Sequence, residues 1–247
     1  GLRAAMPGSL KSAGNQNLNG AAGQTQIETL AIGRLTVDGR DFRDLKAFAL
    51  PPSPVDALGV DGVLGADVIA RYVVEMDMPG RTWRMADSAT ADMLSGTLPP
   101  VAIELDEALT PRLLVRLDGV EIPAILDTGA KGTILNWAAA ALLGVTPDSP
   151  GIVKASKVQG VTAHGTASVV ARFDELRIGD MSRPGFSLRI ADLPIFAALG
   201  FAEGQPAMIV GIDALADRRF AIALPGRRLF IAADARAAGT AAAAALP

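Results

Sequence analysis

Two stretches of this chain, 63–85 and 209–231, follow one plan. The first reads Val63-Leu64-Gly65-Ala66-Asp67-Val68-Ile69 and runs on through Tyr72-Val73-Val74-Glu75-Met76-Asp77-Met78-Pro79-Gly80-Arg81. The second reads Ile209-Val210-Gly211-Ile212-Asp213-Ala214-Leu215 and runs on through Phe220-Ala221-Ile222-Ala223-Leu224-Pro225-Gly226-Arg227. Gly65, Asp67, Pro79 and Gly80 meet Gly211, Asp213, Pro225 and Gly226 at one constant offset of 146. Four special residues at one spacing, in matching apolar surroundings, point to a duplication and so to a fold of two like halves.

Each half has the rhythm of β structure: short apolar or alternating runs broken by turn pairs. Asp38-Gly39 and Asp118-Gly119 are two-residue hairpin turns, because both central positions want positive φ. Pro79-Gly80 and Pro225-Gly226 suit type II turns, with Pro fixing φ and Gly in the left-handed position. Helix is expected only from Leu135 to Leu143, stopped by Gly144, and for a turn or two at 66–71 and 213–218. Residues 87–100 read as a link, and 234–247, nearly all Ala and Gly, as a frayed tail. Half of the residues are hydrophobic but only 4% aromatic, so the core is aliphatic. A net charge of −3 without a basic cluster argues against a nucleic-acid partner. No apolar run has the length of a membrane span. The absence of cysteine excludes disulfides and thiolate chemistry.

Chemistry concentrates in one place. The apolar run Ile122 to Leu126 ends in Asp127-Thr128-Gly129-Ala130, followed by Lys131-Gly132-Thr133-Ile134-Leu135, and about eighty residues later comes Met208-Ile209-Val210-Gly211. This combination resembles the retropepsin-like aspartic proteases. The resemblance implies an all-β, two-lobed acid-protease architecture of barrel-like lobes with few short helices. It divides the chain into a first lobe at 1–97, a second at 98–235 and a flexible tail at 236–247. The implied activity is endopeptidase cleavage of an extended polypeptide by water activated between two aspartates, which cannot both ionise when held close. Asp127 is one of them. Thr128 is expected to hydrogen-bond the backbone of the opposite lobe, and Gly129 to allow the tight path and offer its amide to the carboxylate. No metal or organic cofactor is implied.

Ala130 lacks the hydroxyl that would lower the carboxylate pKa from that position, so the expected optimum is weakly acidic to neutral. A substrate-covering hairpin is expected with arms at 155–160 and 166–172. Its tip is Val161-Thr162-Ala163-His164-Gly165, which with Gly160 and Ala130 forms the expected substrate contact. Its counterpart in the first half is Gly20-Ala21-Ala22-Gly23. The only tyrosine, Tyr72, lies in another strand and not in such a tip.

The second aspartate is the open question. Matching the halves makes Gly1-Leu2 resemble the end of the helix behind Asp127, which puts the first aspartate about 17 residues upstream of Gly1. Asp38, Asp61 and Asp87 lack the strand and loop around them to replace it. Three readings follow: a second aspartate from an upstream segment or an N-terminal fragment of the same protein, a homodimer in which each chain donates Asp127, or a peptide- or protein-binding module that does not cut. The Ala-, Arg- and Gly-rich composition suits a bacterial protein, and the resemblance, whose bacterial members often carry export signals, implies a periplasmic or secreted one.

Other chemistries fit poorly. His164 and Ser168 are four apart on a hairpin, without a nucleophile elbow. One histidine and no cysteine disfavour zinc. Residues 129–133 lack the order and spacing of a phosphate loop. Asp67 and Asp213 read as carboxylates capping short helices, and Lys131 as a solvated loop residue.

Overall fold

A computed structural model describes residues 10–20, 23–50, 62–159 and 165–233. The elements begin with β1 (Lys11–Gly20), β2 (Gly23–Val37), β3 (Arg40–Phe48), α1 (Ala66–Ile69), β4 (Val73–Asp77), β5 (Thr82–Ala86) and α2 (Ala91–Leu94). The middle of the chain forms β6 (Val101–Ala102), β7 (Glu104–Leu105), β8 (Pro111–Leu117), β9 (Val120–Leu126), β10 (Ile134–Leu135) and α3 (Trp137–Leu142). Then come β11 (Val153–Gln159), β12 (Gly165–Ile178), β13 (Met181–Ile190), α4 (Ile195–Ala198) and β14 (Met208–Val210). A 3-10 turn (Ile212–Leu215), β15 (Arg219–Ala223) and β16 (Arg228–Ile231) complete it. The all-β expectation holds.

The chain forms two compact units. One gathers 1–64, 156–168 and 191–203, and the other 65–155, 169–190 and 204–247. In the first, β1, β2 and β3 form an antiparallel sheet in that order. Val37 pairs with Arg40 around Asp38 and Gly39, whose φ of 49° and 73° make the expected two-residue turn. Gly20 pairs with Gly23, so β1 and β2 form the hairpin expected there. Among the described residues of this sheet Ile27, Leu30 and Phe42 are the buried apolar side chains, and Thr29 is buried beside them.

In the second unit the order β12-β13-β10-β14-β9-β8 closes on itself, because Leu176 and Arg177 of β12 pair with Leu117 and Arg116 of β8. A closed ring has no open edge. Its interior is mainly aliphatic, with Leu117, Ile122, Leu135, Leu176, Ile178 and Ile190 almost fully buried, as the composition requires. The β8–β9 turn uses Asp118 and Gly119 at φ 48° and 81°. Hairpin β11–β12 is present, with arms longer than expected.

A five-stranded sheet, ordered β5-β4-β15-β16-β6, takes strands from both halves of the sequence. β4 and β15 run antiparallel, and their pairing is centred on Glu75 and Ala221, which stand at the offset of 146. The hairpins match too: Asp77 pairs with Thr82, and Ala223 with Arg228. Their turns differ from expectation. Neither Gly80 nor Gly226 has positive φ. That conformation falls on Arg81 (φ 53°) and Arg227 (φ 51°). With four residues between the paired positions, Pro-Gly occupies the centre of a type I-like turn and the next residue reverses the chain. Gly80 serves a different need. A Cβ there would lie 2.7 Å from Asp77 Oδ2, while its amide donates to Asp77 Oδ1 at 2.9 Å.

Residues 87–100 are more than a link. They contain α2, and 96–98 run along 231–233 through Leu98 N–H to Ile231 O at 2.8 Å and Ala233 N–H to Gly96 O at 2.9 Å. Glu75, only 5% exposed, lies between two guanidiniums: Arg84 Nε donates to it, and so does Arg219 Nη1 at 2.9 Å. Arg84 also bonds Asp92, and Arg219 donates to Met93 O at 2.6 Å, so the pair ties α2 to the sheet. A buried carboxylate needs such partners to stay charged. Tyr72 precedes β4 and is not within a strand. Residues 1–9 and the tail from 234, on which the expected helix end and frayed tail fall, lie outside the described residues.

Candidate active site

β9 ends buried on both faces. Ala124, Ile125 and Leu126 are buried, and β8 and β14 pair with the two edges of the strand. The last ladder bond is Asp127 N–H to Val210 O, 3.0 Å, and the chain then leaves the sheet with the Asp127 side chain exposed. A strand that is dry up to Leu126 and wet at Asp127 delivers a carboxylate to the surface from a rigid base.

The loop that follows is held from within and from behind. Ala130 N–H donates to Asp127 O at 3.1 Å, and Gly129 N–H to Asp127 Oδ1 at 2.9 Å. A Cβ on Gly129 would sit 3.2 Å from that oxygen, so glycine permits the approach.

Behind the loop, β14 lies between β9 and β10, parallel to the first and antiparallel to the second. Its continuation crosses the loop. Ile212 N–H donates to Ala130 O at 2.9 Å, and Gly211 N–H to Thr133 Oγ1 at 3.1 Å. A Cβ on Gly211 would meet Gly132 C at 2.5 Å and Ala130 O at 2.9 Å, so two backbones touch where a side chain has no room. Asp213 closes the crossing: its Oδ1 accepts from the Thr133 hydroxyl at 2.7 Å and the Thr133 amide at 2.9 Å. Thr133 is 1% exposed, so these bonds are out of water's reach and leaving one unmade is costly.

Asp213 therefore stabilises a loop 80 residues away, not the helix it begins, which receives no side-chain cap bond. This corrects the expected helix cap for Asp213. Asp67 makes no cap bond to α1 either. Asn136 supplies a further support, of which only the helix cap could be read from the sequence. Its Oδ1 accepts from Ala139 N–H at 2.9 Å, capping α3, and from Ala207 N–H at 3.0 Å, while Nδ2 donates to Gln205 O at 2.7 Å. One buried amide thus starts α3 and anchors the approach to β14. At the other end Gly144, at φ 71°, stops α3 as expected.

Asp127, Thr128, Gly129 and Ala130 occupy this loop, with Thr128 and Ala130 half-buried and Gly129 and Lys131 exposed. Gly165 is the first residue of β12. Gly160, Val161, Thr162, Ala163 and His164 lie outside the described residues. Among the described residues no group of acidic or histidine side chains has the arrangement of a metal site.

Residues 113–214 match the aspartyl protease family. No curated protein matches the chain. Among solved structures, a retropepsin-like aspartic protease from Rickettsia conorii is 15% identical, with a TM-score of 0.41, covering 54% of this chain and 89% of that one. EIAV protease, complexed with the inhibitor HBY-793, is 17% identical with a TM-score of 0.34, covering 46% of this chain and 92% of that one.

Proposed function

We propose that this chain, whose residues 113–214 match the aspartyl protease family, is an aspartic endopeptidase of the retropepsin-like type in which Asp127 is one of two catalytic carboxylates. The observation that carries the reading is the support of Asp127. An exposed carboxylate stands at the end of a buried strand, on a loop fixed by Val210, Gly211, Ile212 and Asp213. Such rigidity is what a group needs if it is to meet a reacting atom in one geometry.

In the proposed mechanism a water lies between Asp127 and a second aspartate supplied from outside residues 1–247, by an upstream segment or a partner chain. Two carboxylates that close share a proton, so one acts as base on the water while the other donates to the developing oxyanion. The Gly129 amide bond to Oδ1 fixes the orientation of the Asp127 carboxylate. Thr128 bonds the opposite loop and holds the two carboxylates in register. Substrate binds as an extended strand through backbone bonds, with Gly160 to Gly165 and Ala130 beside it. The protein works in the periplasm or outside the cell.

The test is incubation of the purified protein with a mixed peptide library across the pH range, with products read by mass spectrometry, beside Asp127→Asn. Cleavage by the parent alone, best at weakly acidic to neutral pH, supports the reading. A profile peaking near about pH 2 contradicts the role given to Ala130. Peptides bound equally by both proteins and cut by neither would replace the protease with a binding module. Activity that rises with the square of protein concentration would assign the second aspartate to a partner copy.

A further inference from the structure

The 3-10 turn Ile212–Leu215 carries the carboxylate that clamps the Asp127 loop, so whatever seats the turn also acts on that loop. Asp213 reaches Thr133, and Ile212 N–H reaches Ala130 O. A second grip comes to the same turn from β13. Arg183 Nη1 donates to Ala214 O at 3.1 Å and to Asp217 Oδ1 at 2.8 Å. Ala214 has no exposure, and a buried carbonyl near the end of a helical turn needs a donor from elsewhere. The Arg183 guanidinium also lies 5.5 Å from the centre of the buried Phe186 ring, so the arm that makes both bonds is itself braced. Asp217 faces one further cation, Arg218, whose Nε is 3.8 Å from Oδ1 and whose Nη1 bonds the carbonyls of Ala232 and Ala233.

The turn does not need this grip in order to form. At the offset of 146 Arg71 stands in the place of Asp217, yet the turn that follows Gly65 has nearly the same backbone angles. Nor is the ion pair a large source of stability, since its side chains are 24% and 47% exposed and water screens them. What the grip adds is place. A chain of contacts runs from Phe186 and Arg183 through Ala214 to Asp213, and from Asp213 to Thr133 in the loop that presents Asp127.

We propose that Arg183 is a positioning residue for Asp127. It seats the Asp213 turn against β13, and through Asp213 and Ile212 it sets where the loop holds its carboxylate. The consequence for turnover rests on the reading of Asp127 as catalytic, whereas the consequence for the loop does not. Without Arg183 the turn keeps its shape and loses its seat, and Asp127 is present but misplaced. Substrate held by main-chain bonds is still bound, so the defect falls on kcat and spares KM.

Arg183→Met keeps an apolar stem over Phe186 and removes both donors. Amide exchange followed residue by residue should quicken about tenfold at Thr133 and Ile212 and stay unchanged at 113–117 in β8. On any library peptide that the parent cuts, kcat should fall about tenfold or more with KM within about twofold. Arg183→Lys, which keeps a charged donor, should restore most of both. Asp217→Asn removes the charge that steers the guanidinium and should raise the same two exchange rates about threefold, a readout that stands if the Met variant fails to fold. Unchanged exchange at Thr133 and Ile212 overturns the proposal, and so does equal quickening in β8, which would be a general loss of stability. A rise in KM alone overturns it as well. A parent that cuts nothing removes the proposed protease, and the two exchange rates then still decide the role of Arg183.

Discussion

The turns Gly65-Ala66-Asp67 and Gly211-Ile212-Asp213 are almost the same object in backbone terms. Gly65 has φ −87° and ψ 171°, Gly211 φ −84° and ψ 174°, and the residues closing the two helical turns, Ala70 and Ala216, agree within a few degrees. Their surroundings differ completely. Gly211 touches the backbone of Gly132, and Asp213 reaches Thr133. A Cβ on Gly65 would meet only the carboxylate of Asp67, which folds back over its own turn. The local sequence makes the turn, and what lies across from it decides which atoms are indispensable.

Substitution separates the two most sharply at glycine. Gly211→Ala drives a methyl into the Gly132 carbonyl carbon, and the loss should reach about 3 kcal/mol or more. Gly65→Ala displaces a mobile carboxylate and should cost under about 1 kcal/mol. Urea midpoints give both numbers, and equal losses would break the comparison. Thr133→Val strands the Gly211 amide and removes a donor to Asp213, for about 3 kcal/mol. Asp213→Asn weakens charge-assisted bonds by about 2 kcal/mol, whereas Asp67→Asn should fall within about 0.5 kcal/mol.

Acid probes a third anchor. The Thr90 hydroxyl first, and the Arg84 guanidinium after it, hold Asp92 down from 3.8 to about 2. A carboxylate with a lowered pKa contributes stability above its unfolded value and loses that contribution as pH falls through the folded one. Protection of the Leu94 and Ser95 amides, which close α2, should therefore fall between about pH 4 and about 2. Protection unchanged down to about pH 2 would mean that Asp92 does not hold α2. The smallest effect on folding is expected at Asp127→Asn. Its side chain is exposed and, among the described residues, bonds only the Gly129 amide, so the substitution should change stability by less than about 0.5 kcal/mol while abolishing any cleavage.

Local chemistry was readable from the residues, and distant pairing was not. Asp38-Gly39 and Asp118-Gly119 state their turns by themselves, and the stop at Gly144 is equally local. Pro79-Gly80 misled because loop length, not the dipeptide, decides which residue turns left-handed, and Arg81 did. The exposed end of the buried strand at Asp127 was legible as an apolar run meeting a charge. The partner of Asp213 was not, since nothing in either sequence neighbourhood says that Thr133 lies 80 residues off. A border drawn at 97/98 likewise gave no sign that β4 pairs with β15. Asn136 could have been singled out as a cap, but its second bond, to Ala207, belongs to the tertiary fold.

The crossing of β14 behind the Asp127 loop also sets an order of events in time. During synthesis Asp127 leaves the ribosome long before the residues that fix it, and contacts of such sequence separation are slow to close. Until Gly211 and Asp213 have emerged and threaded between β9 and β10, the loop has neither its backbone stop nor its carboxylate clamp. The nascent chain thus carries the Asp127 carboxylate unsupported until Asp213 is made, 80 residues after Thr133, and a product ending before Asp213 would never acquire that support.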